Sequence, residues 1–389
     1  MRPQRATTLL LIAFALASNM PAQAQLSICP TIGGTYSVYV SPIGLDSNTG
    51  CTQLTPVKTL SQAHARLIGD KPGATVYVRI DAANGDHVDN EAPAIQWTYY
   101  HPNYLTYILP YGADPATLMN DRYTGQRPQF RYTGGGQSNY WFKFAPSLST
   151  NTATGLHIMG LTVRNYTAGG IYFEGVSTSS SNNRAGHQPT GNGIYNMSFI
   201  DLGNKQSDDA DHGYGAISLR RSSDNTVGYN YFKRIENACK TTNAAGACIE
   251  WDGHIHALYV QHNSDDNVVF QNNIEWVTGA ALKVRDGSDG NMFHHNGFHR
   301  AGKKAFLLDW FSVNPADGHV ECASYDNWFK YNDTDKRGTG TLKQGYINGE
   351  ILPYTLADQT EAEDQCTNQN LPRLATAGND GAGSNWSMP

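Results

Sequence analysis

The sequence predicts an all-β parallel β-helix with a short N-terminal capping helix, and three observations carry that prediction. Asn225, Asn267, Asn291 and Asn327 are each followed, five residues on, by a second asparagine at Asn230, Asn272, Asn296 and Asn332. Four such coincidences read as one irregular repeat, in which an alternating strand and a polar turn precede each asparagine pair. Positions 156, 192, 225, 267, 291 and 327, taken as equivalent, are 36, 33, 42, 24 and 36 residues apart. The smallest step is close to one coil of a solenoid, and the larger ones are that coil plus insertions. No helical period of ten or more residues separates the strands, which argues against an α/β chain.

The chain begins with Arg2, Arg5, an apolar run from Leu9 to Leu16 and the small-residue site Ala22-Gln23-Ala24, the order of a secretory signal peptide. We therefore expect a signal over 1–24, a single β-helix domain over 25–370 and a loose polar tail over 371–389, in a secreted or periplasmic protein. No later stretch approaches the roughly eighteen apolar residues of a spanning helix, so no membrane segment is expected after cleavage. All six cysteines lie beyond the signal, and an even count in an exported chain suggests disulfides. Pairing of nearest neighbours joins Cys29 to Cys51, Cys239 to Cys248 and Cys322 to Cys366. Without Arg2 and Arg5, the 28 basic residues become 26 against 34 acidic ones, a formal charge of -8. That balance excludes nucleic acid as the expected partner. A monomer is expected.

In order along the chain, Tyr36 to Ser41 alternates as a strand. Leu60, Ala63 and Leu67 then fall on a helical period within Thr55 to Leu67, a helix suited to cover the end of the solenoid core. Val76 to Ile80, Phe130 to Tyr132 and Tyr140 to Phe144 are further strands. Residues 91–128, rich in Tyr and Pro, either pack on the side of the solenoid or wall a cleft, and we expect the former. From Leu156 the rhythm settles through Gly170 to Glu174, Ala216 to Arg220, Ala257 to Gln261, Ala281 to Arg285 and Ala305 to Asp309. The run Cys248 to Asp252 falls in the longest coil, as an extra strand or an edge loop.

The segment Val40-Ser41-Pro42 to Asp46-Ser47-Asn48, followed by Pro56-Val57-Lys58-Thr59-Leu60, resembles the start of many secreted right-handed parallel β-helix polysaccharidases. Arg221-Ser222-Ser223-Asp224-Asn225 and Leu282-Lys283-Val284-Arg285-Asp286-Gly287 are similar to the two catalytic-coil motifs of the alginate lyase and chondroitinase B family. That resemblance implies a polysaccharide lyase. Where the family has a catalytic Lys this chain has Arg221, and the family's calcium ligands would fall near Tyr214 and Ala216, which cannot supply them.

Alternation sends Ile217, Leu219, Leu258, Val260, Leu282, Val284, Phe306 and Leu308 inward. It leaves two outward columns, Ser218, Tyr259, Lys283 and Leu307 in one, and Arg220, Gln261, Arg285 and Asp309 in the other. In a chain only 16% charged, such a gathering of cations points to an acidic polysaccharide. Cleavage by β-elimination needs a neutralised uronate carboxylate, for which Arg220 and Arg285 are suited. It also needs a base, for which Lys283 is a candidate, with Tyr259, His212 and Tyr214 competing for the acid and base roles. Arg221, Glu250, Asp252, His254, His256 and Asp309 are expected to bind substrate. Glu250 and Asp252 form a carboxylate pair at the edge of this face, which leaves a glycoside hydrolase as the second candidate and makes the pair a candidate for calcium. The same scaffold also suits a uronan epimerase or a non-catalytic glycan-binding solenoid.

Overall fold

The computed structural model describes residues 29–89, 95–134, 140–179, 184–203, 214–246, 248–251, 253–301, 305–311, 313–314, 319–333, 352–356 and 374–377. Three long sheets of ten, seven and eight strands, joined strand to strand in parallel, build a parallel β-helix. Each regular coil contributes one strand to each sheet. One coil places Thr226–Gly228, Tyr231–Ile235 and His256–Gln261 in the three sheets in turn, and the next places Val268–Phe270, Asn273–Val277 and Leu282–Arg285.

The asparagine repeat lies at two corners of the coil. Asn225 Nδ2 donates to Asn267 Oδ1 at 2.8 Å, Asn267 to Asn291 at 2.9 Å and Asn291 to Asn327 at 3.1 Å. The second ladder runs from Asn230 through Asn272 and Asn296 to Asn332 with the same geometry. These side chains are buried. An amide serves here because it carries both a donor and an acceptor, so Asn267, Asn291, Asn272 and Asn296 each accept from the preceding coil and donate to the next.

Inward positions of all three sheets fuse into one apolar core running from Tyr36 to Leu374. At one end the helix α1, Leu60–Asp70, starts at Thr59, whose side chain accepts from the Gln62 N–H, and buries Leu60, Ala63 and Leu67. The short helix α2, Pro115–Asn120, places Leu118 against Tyr107, Leu109, Met159 and Tyr195, so this part of 91–128 packs on the side of the solenoid. Disulfides join Cys29 to Cys51 and Cys239 to Cys248. Cys322 is also disulfide-bonded, while Cys366 lies outside the described residues.

Three expectations need correcting. Cys248–Trp251 pairs antiparallel with Cys239–Thr242 in a lateral two-stranded ribbon and is no part of the eight-stranded sheet. The tail begins with order, since Leu374–Ala377 pairs with Asn327–Lys330 and buries Leu374. In Ala305–Trp310, Leu307 and Asp309 stand opposite Leu282 and Val284, so they face inward and Leu308 and Trp310 continue the outward columns. The physical reason is that Phe306, Leu307 and Leu308 are apolar on both parities, so local alternation specifies no face and the neighbouring coil sets the register.

Candidate active site

The eight-stranded sheet presents the site. Its first outward column is Lys143, Tyr172, Ser218, Tyr259, Lys283 and Leu308, and its second is Glu174, Arg220, Gln261, Arg285 and Trp310. Tyr140 joins them from the end of its strand. Gly169 gives it room, because a Cβ there would lie 2.5 Å from Cε1 of the Tyr140 ring. That ring stacks on Tyr172 at 5.0 Å, and the Tyr140 hydroxyl is 3.1 Å from Ser218 Oγ.

Lys283 sits at the centre of one cluster. Its Nζ is 4.9 Å from the ring centroid of Tyr259 and 4.9 Å from that of Trp310, and it makes no ion pair among the described residues. Burial, reinforced by the adjacent Arg285 charge, pulls its pKa down to about 8 against the smaller opposing pull of Glu321. Arg285 is firmly anchored. Its Nε donates to the Glu321 carboxylate at 2.8 and 2.9 Å, its Nη2 donates to the same group, and its Nη1 donates to the Tyr259 hydroxyl at 3.0 Å. Its guanidinium also lies 4.2 Å from the Trp310 centroid. Burial raises the Tyr259 pKa against the lowering effect of Arg285, so the phenol stays protonated at neutral pH.

The second cluster surrounds Glu174. Lys143 Nζ is 2.6 Å from Oε2, while Arg220 Nη1 and Arg221 Nη2 approach Oε1 at 3.4 and 3.5 Å. Burial works to raise the Glu174 carboxyl, but Lys143 and Arg220 together hold it below its ordinary value.

Of the predicted residues, Arg220, Tyr259, Lys283 and Arg285 are brought onto one face. Arg221 is buried, and its Nε donates to the Gly175 carbonyl at 3.4 Å. Asp309 is fully buried on the inward parity and so leaves the outward column. His256 is buried too; its Nδ1 donates to the Ala280 carbonyl at 2.7 Å, and burial with the nearby Lys283 charge drives its pKa well down. Tyr214 and His254 are exposed at the start of the strands. His212, Asp252 and the Glu250 side chain lie outside the described residues. Because the Glu250 strand belongs to the lateral ribbon, the sequence-based carboxylate pair gains no support as part of this face.

Sequence reasoning missed Lys143, Tyr172, Glu174, Trp310 and Glu321. Extending the outward columns upstream through Gly170 to Glu174 and Tyr140 to Phe144 would have found the first three. Trp310 was lost with the register of its strand, whereas Glu321 stands six residues before Asn327 as Arg285 stands six before Asn291, a spacing that would have placed the two side by side.

His262, Asp286 and Glu321 bring one ligand atom each within 4.8 Å of one another. The donor set is one nitrogen and two carboxylates, whereas calcium prefers oxygen throughout. Their bonding is already taken up internally. Asp286 holds His262 Nδ1 at 2.6 Å, the Cys322 N–H at 3.1 Å and Arg184 at 3.6 Å, and Glu321 holds Arg285. These contacts tie the turn after Leu282–Arg285 to the segment that carries Glu321 and Cys322.

Among solved structures, the chain is similar to an alginate lyase from Paenibacillus sp. str. FPU-7, at 12% identity and a TM-score of 0.46, covering 89% of this chain and 94% of that one. It is also similar to a rhamnogalacturonan lyase, at 11% identity and a TM-score of 0.34, covering 84% and 86% of the two chains. No family model and no curated protein matches the sequence. The fold assignment rests on the strand pairing itself.

Proposed function

We propose that this chain is an exported polysaccharide lyase that cleaves a uronate-containing glycan by β-elimination. The observation that supports this most is Lys283, a lysine with a pKa near 8 wedged between Tyr259 and Trp310 beside an anchored arginine. In the reaction, the C5 proton of the uronate passes to a base and its electron pair forms the C4–C5 double bond. The C4–O bond to the leaving sugar breaks, and the leaving oxygen takes a proton. Neutral Lys283 suits the base. Tyr259 accepts from Arg285, so its own O–H is available as the acid for the leaving oxygen. The guanidinium has five N–H donors, and those not given to Glu321 and Tyr259 can face the substrate carboxylate, whose neutralisation acidifies the C5 proton.

Hydrolysis has weaker support, because a glycosidase acid requires a carboxyl with a raised pKa. Glu174 is lowered and Glu321 is held by Arg285, while Asp265, which burial raises to about 7, lies in the turn beyond the strand and accepts the Asp289 N–H. The disulfides Cys29–Cys51 and Cys239–Cys248, with Cys322 also bonded, are consistent with an oxidising compartment.

The test is incubation of the protein with acidic and neutral glycans, following ultraviolet absorbance and product mass. An unsaturated uronate product supports the lyase; new reducing ends without that chromophore reject it.

A further inference from the structure

The two arginines assigned one role by the sequence are held differently. Arg285 is clamped on two edges at 2.8 to 3.0 Å, whereas Arg220 touches Tyr172 and Glu174 only at 3.4 Å each. Glu174 is taken chiefly by Lys143 at 2.6 Å, and Arg221 shares it as a third cation. Lys143 and Arg220 thus share one carboxylate, leaving positive charge on a half-buried surface of an otherwise acidic protein. Its Tyr172 ring is stacked on Tyr140, a flat patch beside the charge.

The register fixes how far this patch is from Lys283. Arg220 pairs with Gln261 and Gln261 with Arg285, so two coil steps, roughly 10 Å, separate the arginines. Lys143 is four steps from Lys283, through Tyr172, Ser218 and Tyr259, which is roughly 19 Å. On the lyase reading, a ligand that reaches both places is an oligosaccharide.

We infer that Arg220 and Lys143, around Glu174, form a second anion-binding site for the carboxylate or sulfate ester of a sugar remote from the reacting bond. The substrate class is then a polyanionic glycan carrying more than one charge along its chain. This inference rests on the lyase reading for the position of the reacting bond, but the binding site does not depend on turnover. The weakly held guanidinium can exchange its 3.4 Å contacts for a bidentate pair with the ligand anion.

The experiment is calorimetric titration of the full-length protein, Arg220→Gln and Lys143→Met with oligogalacturonides, which carry carboxylates, and with dextran sulfate, which carries sulfates. Thermal melts establish that the variants are folded, and Lys143→Met serves if Arg220→Gln is not. We expect each variant to bind about tenfold more weakly, and on a cleaved glycan to show about a tenfold higher KM with kcat changed less than about threefold. Binding of only one probe identifies its anion as the one recognised. Wild-type affinity of both variants for both probes overturns the site, as does a loss confined to kcat. If the wild-type protein binds the probes and the variants bind them more weakly, yet no unsaturated product is released from any glycan, the lyase reading fails and the site stands. If turnover is intact and the variants bind as wild type, the site fails and the lyase stands.

Discussion

Lys283 Nζ lies 4.9 Å from the centroid of the Trp310 ring, on the outward face of two adjacent coils. A charged ammonium held there costs stability, and this cost is what lowers its pKa to about 8 from 10.5. Between these values the unfolded chain binds more protons than the folded one, so this group makes stability rise with pH across that window. Lys283→Met is therefore expected to raise Tm by about 2–4 °C at pH 7, with the gain shrinking as pH climbs from 8 toward 10.5. The same variant should lose a factor of about 10² to 10⁴ in turnover, the range of a missing general base. Calorimetry across pH, with the ultraviolet assay, checks both.

The pH profile of kcat/KM should rise through about 8 as Lys283 loses its proton. The Glu321 charge works to raise that pKa, so Glu321→Gln removes an upward pull and moves the rising limb to lower pH. An unmoved limb, or a shift upward, excludes Lys283 as the group that titrates.

The asparagine ladder should be costly to break. Asn267 is fully buried, accepts from Asn225 and donates to Asn291. Asn267→Ala strands donors and acceptors on both neighbours, which amounts to about 2–4 kcal/mol, because each unsatisfied buried group costs about 1–3 kcal/mol. Denaturant unfolding measures the loss, and an unchanged midpoint denies the ladder a structural role.

The register of Ala305–Trp310 makes a paired prediction. Leu307 is fully buried and faces the core with Leu282, while Leu308 is half-buried on the outer face with Lys283. Leu307→Ala should cost about 2–5 kcal/mol and Leu308→Ala about 1 kcal/mol or less. The reverse order restores the register expected from alternation alone.

The sequence by itself determined the solenoid. The Asn225–Asn230 spacing and its repeats are local, and an amide that must both donate and accept at every coil corner leaves its mark at each turn. Alternation likewise placed Ser218, Tyr259 and Lys283 in one column, because strands with one apolar parity can be registered from the chain alone. Only the tertiary structure decided the rest. Asp309 and Trp310 exchanged faces because their strand is apolar on both parities and takes its register from the preceding coil. Glu321 stands one coil step of 36 residues beyond Arg285, the step from Asn291 to Asn327, but the fold decided that its carboxylate takes the guanidinium. The difference between Arg220 and Arg285, identical residues in one column, came from which carboxylate each coil brought within reach.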